Sequence, residues 1–224
     1  KYDWAGGEES GVNSWHKYLK SCALSSYKIS RNDLMGDTSS SHVSPWLAHG
    51  CISARFLWRE TLNYEYKLGA NESTYWFRFE LLWREFFRWY SRNSLEKIFC
   101  YCKVNDTFEP YDLPNFIHWS QGSTGLDIVD AAMRELNATG WLSNRARQLA
   151  ASALINNLEV DWRLGAAWFE SQLVDYDPSS NWCNWAYIAG RGADPRGGRA
   201  FNLERQASIY DKDCRYRKKW LSNA

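Results

Sequence analysis

Apolar residues recur at three- and four-residue steps along most of this chain, the spacing of helix faces packed on a core. Val12, Trp15, Leu19 and Cys22 make the first such face, behind a Gly-rich polar stretch, residues 1–11, that reads as a linker remnant. Ser53 is placed to cap a helix to about Leu68, and a longer helix is expected from near Ser73 past Trp89. The segment 99–118 has little periodicity and two prolines, and reads as a long irregular connection. Thr124 and Asp127 resemble a capping box opening a helix over Ile128, Val129, Ala132, Met133 and Leu136, which Gly140 ends. Ser143 caps the next helix, Asp161 starts another to about Val174 with Trp168 and Leu173 inward, and Asn202 caps a last one over Leu203 to Tyr210. The expected architecture is all-α, one helical domain over residues 12–224.

Four places depart from plain amphipathic patterning. Trp76, Glu80, Trp83 and Phe87 fall at i, i+4, i+7 and i+11, which puts Glu80 on an aromatic stripe where a carboxylate needs a partner. Arg84 is a candidate intrahelical mate. In Asn144-Arg145-Ala146-Arg147-Gln148 two arginines oppose the dipole of a helix start, which makes sense where an anion or an acidic loop sits. Asn144, Arg147 and Gln148 share one face. Thr38, Ser39, Ser40 and Ser41, then Val43 and Ser44 before Pro45, can offer O–H and N–H donors to phosphate oxygens, with Tyr27 and Arg31 near; a flexible linker has the same composition. Finally, 175–187 crowds Asp175, Asp177, Asn181, Asn184 and four aromatic rings into a segment containing the helix breaker Pro178. Read as a loop, it suits either a planar heteroaromatic cofactor or a satisfied polar cluster beside an aromatic core.

Composition narrows the classes. A net charge of +1, from 27 basic and 26 acidic residues, excludes broad attraction to polyanions, so nucleic-acid contact has to come from local clusters. Fourteen Trp within 17% aromatic residues suggest stacking surfaces or an electron-transfer chain. Six cysteines without Cys-x-x-Cys or zinc spacing, and no secretory leader, read as reduced thiols of a cytoplasmic protein that holds no metal. Apolar runs are broken by charges, so no membrane span is expected. The Gly-rich 190–199 segment is not a dinucleotide loop, since no strand precedes it and Pro195 takes the third glycine's place.

Several motifs in order resemble one family: residues 80–87 (Glu-Leu-Leu-Trp-Arg-Glu-Phe-Phe), 140–148 (Gly-Trp-Leu-Ser-Asn-Arg-Ala-Arg-Gln), Asp-Trp-Arg at 161–163, the 175–187 segment, and Ala-Gly-x-Gly-x-Asp-Pro-Arg at 189–196. They look like the FAD-binding domain of the photolyase/cryptochrome family, and Asn-Trp-x-Asn-Trp-x-Tyr with Gln148 fits its DASH branch best. The resemblance implies noncovalent FAD, with Tyr27, Ser40, Ser41, Val43, Ser44 and Arg84 at the diphosphate and ribityl chain. It sets Asn144 and Arg147 by the bent cofactor, Asp175 paired with Arg147 at the flavin edge, Asp177 on the pyrimidine side of the ring and Asn181 facing N5. Glu80, Trp83, Asn144 and Gln148 would receive a pyrimidine dimer, Glu80 as a protonated hydrogen-bond donor, with Arg145 near DNA phosphate. Trp162 and Trp185 match the inner two members of an electron relay whose outermost position here is Glu109; Tyr101, Tyr111 and Trp119 are candidate substitutes beside Trp162. The implied activity is light-driven, lyase-type repair of cyclobutane pyrimidine dimers, preferably in single-stranded DNA. The alternatives are a cryptochrome-type photosensor that repairs nothing and a helical nucleic-acid binder without flavin. The matched region starts after the family's α/β domain, so no antenna chromophore is expected in this chain.

Overall fold

Side chains placed ahead of six of the described helices accept backbone N–H groups of the first turn and mark where those helices start. The computed structural model describes residues 4–99, 113–194 and 197–222, the Lys97 side chain apart. The elements are α1 (Glu8–Lys20), a 3₁₀ turn (Ala23–Ser26), α2 (Tyr27–Ser30), α3 (Ser44–Ala48), α4 (Ala54–Leu68), α5 (Glu72–Asn93) and α6 (Leu95–Phe99). They continue with α7 (Leu113–Gln121), α8 (Asp127–Thr139), α9 (Asn144–Asn156), α10 (Trp162–Gln172), α11 (Pro178–Ile188), α12 (Leu203–Tyr210) and α13 (Arg215–Leu221). No strand occurs among the described residues, as expected of an all-α chain.

Ser53, Ser143 and Asn202 accept the backbone N–H groups of Phe56, Ala146 and Arg205 at 3.1, 3.2 and 2.8 Å, so these caps sit as the sequence predicts. Four expectations need correction. Helix α1 begins at Glu8, with Glu8 and Glu9 favourably placed at the positive end of its dipole, so residues 8–11 are helix and not linker. Residues 113–118 of the expected irregular connection are helical in α7. Thr124 does not box with Asp127; it and Gly125 turn onto the buried Asp130, whose carboxylate accepts Thr124 N–H (2.9 Å), Thr124 O–H (2.7 Å) and Gly125 N–H (2.9 Å). The 175–187 segment is largely helix: Asp177 caps α11 through the Ser180 N–H (2.8 Å), and Pro178 opens the helix instead of breaking it.

Two apolar clusters hold these helices. One gathers α1, the 3₁₀ turn, α3, α4 and the start of α5 around Trp15, Leu24, Leu57 and Phe77, with Trp15 stacked on Phe77 at 5.0 Å. The other joins the end of α5 to α7–α13 around Trp119, Met133, Leu136, Leu149, Leu154 and Trp185. Helix α5 belongs to both, giving Phe77 and Leu81 to the first and Phe87 to the second. At the centre of the second cluster α10 meets α11 over Gly165, where a Cβ would lie 2.3 Å from Trp185 Cη2 and 2.5 Å from Leu154 Cδ2. Helix α13 docks on α8 through the buried Tyr216 hydroxyl, which donates to Glu135 Oε2 at 2.6 Å. Burial first of all raises the Glu135 pKa from 4.5 to about 7, against the lowering effects of Tyr216, Lys219 and Arg147. No described helix is long and apolar enough to cross a membrane. Cys22, Cys51, Cys183 and Cys214 are unpaired, and Cys183, pushed up to about 12 by burial and then by Asp177, is an inert core thiol.

Candidate functional site

Where the two clusters face each other they leave a cavity of about 700 Å³, within the roughly 300–1,000 Å³ of small-molecule and cofactor sites. Of the sixteen residues expected to hold the cofactor, receive the dimer or form the inner relay, all but Trp162 line it. It brings together four arginines (Arg31, Arg84, Arg147, Arg199) and four carboxylates (Asp33, Glu80, Asp175, Asp177), from segments up to 168 positions apart in sequence, Arg31 to Arg199.

The N-terminal wall is built from Tyr27, the 39–44 turn and α5. Ser39 is buried and turned back on the Gly36 carbonyl (2.8 Å), and Ser30 holds the Ser39 carbonyl (2.9 Å), which fixes the turn. Ser40 and Ser41 line the cavity with hydroxyls that have no protein partner among the described residues. Val43 and Ser44 follow at the start of α3, where Pro45 occupies the first turn. His42 adopts φ +52° and lays its ring on Trp141 at 4.5 Å, a flat wall; burial foremost lowers its pKa and favours the neutral imidazole. Arg84 is not the mate of Glu80: it bonds Glu85 (2.8 Å) and the Leu47 carbonyl (3.2 Å). Glu80 pairs instead with Arg31, whose guanidinium also covers the Trp76 ring at 5.0 Å.

The C-terminal wall is already paired. Arg147 Nη2 reaches both oxygens of the buried Asp175 at 3.0 and 2.8 Å while its Nε–H donates to the Leu142 carbonyl at 3.0 Å. Asp177 accepts the Ser180 N–H and O–H and lies 3.4 Å from Arg88; burial raises its pKa, but Ser180, Arg88 and Arg84 outweigh that and hold it below the usual carboxylate value. Asn181 donates its amide N–H to the Ala166 carbonyl at 2.9 Å, leaving its carbonyl end for the cavity. Gln148 has a buried Oε1 without a hydrogen-bond partner, an orphaned acceptor that a ligand donor would satisfy. The set offers phosphate-binding hydroxyls on one side, fixed donors and acceptors on the other and ring faces between. That donor set fits a ligand with an anionic end and a planar, hydrogen-bonding end.

Trp185 lines the cavity and packs edge-on against Phe169 (5.1 Å) and Trp119 (6.0 Å). Trp162 stands outside the lining, edge-on against Trp182 at 5.9 Å. Trp119, a candidate substitute beside Trp162, is thus a neighbour of Trp185; Tyr101, Glu109 and Tyr111 lie outside the described residues. Arg199 is the site residue that sequence reading missed. Residues 190–194 and 197–199 lie over the end of α11, with Arg191 and Gly192 N–H on the Ala186 carbonyl (2.8 and 2.9 Å), and Arg199 bonds both Asp194 (3.0 Å) and the Tyr187 hydroxyl. Glycine at 192 permits this approach: a Cβ there would lie 2.8 Å from the Tyr187 nitrogen.

Comparison with known proteins agrees with this geometry. The family described as the FAD binding domain of DNA photolyase matches residues 76–224. A cryptochrome DASH of Vibrio parahaemolyticus is 48% identical over 218 residues, covering 96% of this chain and 49% of that protein. A cryptochrome DASH of Danio rerio is 44% identical over 219 residues, 96% of this chain and 42% of its own. Among solved structures, a Synechocystis cryptochrome superposes with TM-score 0.92 at 45% identity over 99% of this chain and 46% of its own. A class III photolyase of Agrobacterium tumefaciens gives 0.87 at 34% identity over 98% of this chain and 46% of its own. The chain spans about half the length of the relatives it matches. By its fold, its matched motifs and these likenesses, the chain belongs to the photolyase/cryptochrome family and comprises that family's helical FAD-binding domain.

Proposed function

We propose that the cavity binds FAD noncovalently and that the chain supports light-driven repair of cyclobutane pyrimidine dimers, with single-stranded DNA preferred. The observation that carries this reading is the convergence of fifteen of the sixteen expected site residues on one cavity whose remaining open groups match the two ends of FAD. Tyr27, Ser40, Ser41, Val43, Ser44 and Arg84 would hold the diphosphate and ribityl chain. Asn144, the Arg147–Asp175 pair, Asp177 and Asn181 would hold the ring system. Bound FAD supplies one-electron chemistry under blue light. The protein's own part is to fix orientation, exclude water and present Trp83, Asn144, Gln148 and Glu80 to a flipped dimer. Flipping a dimer out of a stacked duplex costs a few kcal/mol that single strands do not require, and a chain of net charge +1 has little phosphate attraction to offset it.

A second reading, a photosensor without repair, draws on the Arg31–Glu80 pair, because a Glu80 oxygen is already engaged by Arg31 instead of open to a substrate. Light-dependent loss of dimers from an oligothymidine by the FAD-loaded chain separates the two. Repair that falls with Glu80→Ala while flavin retention stays supports the first reading. Stable flavin with no dimer loss supports the second.

A further inference from the structure

Two routes lead from Trp185 to another tryptophan, one by ring contact and one along a helix. One runs to Trp119, which is fully buried and gives its indole N–H to the Ala150 carbonyl at 3.0 Å. A peptide carbonyl is too weak a base to take a proton from it. The other lacks a ring contact with Trp185 and runs along α11 itself, where Trp182 stands three residues earlier on the adjacent helical turn. Trp182 is buried at 6% exposure, meets Trp162 edge-on at 5.9 Å, and gives its indole N–H to Glu170 Oε2 at 2.8 Å. Glu170 is on the exposed face of α10, so its carboxylate joins a buried indole to water. Tyr176, a residue of the cavity lining, lies beside the same carboxylate.

An oxidised indole is a strong acid, and its cation is stabilised both by a neighbouring negative charge and by giving up the N–H proton. We propose that Trp182 and Glu170 form a proton-coupled hole trap: an electron hole entering at Trp185 comes to rest on Trp182 as the indole proton passes to Glu170. In balance, one electron leaves the tryptophan set for an oxidant at the cavity, which under the function proposed above is light-excited oxidised flavin. The Trp182 N–H bond breaks with its electron pair left on nitrogen, Glu170 Oε2 gains the proton, and a neutral indolyl radical faces a carboxylic acid. A soluble thiol then gives one electron, becoming a thiyl radical as its own proton goes to water, and Glu170 returns its proton to the indole nitrogen. The trap requires no third tryptophan at position 109, which is why the branch ending on a base carries the proposal. It rests on the flavin reading only for the identity of the oxidant.

The test is transient absorption of tryptophan radicals in two preparations. One is the FAD-loaded chain under a blue flash; the other is the flavin-free chain oxidised by a flash-generated ruthenium(III) polypyridyl complex. Wild type should form the neutral indolyl radical in both. Glu170→Gln, which still accepts the hydrogen bond but takes up no proton, should leave the radical cation and shorten its lifetime about tenfold. Glu170→Asp should restore the neutral form, and Trp182→Phe should lose the long-lived signal. A Glu170→Gln variant with wild-type proportions of neutral radical, or a Trp182→Phe variant with unchanged lifetime, overturns the proposal. If the chain takes up no FAD, the flavin reading fails and the soluble-oxidant comparison still decides this one.

Discussion

The two walls of the cavity are built on opposite terms. On the C-terminal side Arg147, Asp175, Asp177, Asn181, Tyr187 and Arg199 are all bonded to protein groups. On the N-terminal side Ser40 and Ser41 present hydroxyls without partners among the described residues. Most polar groups of the first wall are committed to the fold, Gln148 Oε1 apart, whereas the second keeps two hydroxyls open beside the paired Arg31, Glu80 and Arg84. One wall should therefore respond to mutation through stability and the other through affinity.

The largest effect should come from Asp175→Ala, which leaves Arg147 facing a buried cavity without its carboxylate. Breaking a buried pair costs about 4 kcal/mol, so the denaturation midpoint of the flavin-free chain should fall sharply. Behind the same wall, Glu135 makes stability depend on pH. Its folded pKa of about 7 lies above the ordinary 4.5, so the native chain holds a proton that the unfolded chain releases. Stability from this group is full below about 4.5 and declines by about 3 kcal/mol as pH rises to about 7. Glu135→Gln should flatten that slope in denaturant titrations between those values. Gly165→Ala should cost about 2 kcal/mol by forcing Trp185 and Leu154 apart, read as a lower Tm with altered tryptophan emission.

How far these walls were legible in the sequence differs for a physical reason. Helices α4 and α5 and the Ser53, Ser143 and Asn202 caps depend on residues a few positions apart, and patterning finds them. The motif residues were visible as polar groups where a helix face should be apolar. What local pattern hides is choice of partner. Glu80 has Arg84 in its own turn yet pairs with Arg31 from α2's end, and Asp130, not Asp127, takes the Thr124 turn. Asp-Pro-Ser-Ser at 177–180 reads equally as a turn or as cap and first turn, and burial of Trp182 and Trp185 selects the helix. Gly165 and Arg199 gave no signal, because their roles exist only once α11 is in place.

The smallest effect belongs to the N-terminal wall and separates it from the other. Replacing Ser40 and Ser41 together by Ala should leave the stability of the flavin-free chain within about 0.5 kcal/mol and weaken FAD about tenfold. The most direct test of the whole account is FAD titration of the folded chain, followed by flavin absorbance and by release on denaturation. The account predicts saturable one-to-one binding, full release of flavin when the chain is unfolded, and weaker binding in the double serine variant at unchanged Tm. A folded chain that takes up no FAD, or one whose serine variant binds it equally well, would contradict it.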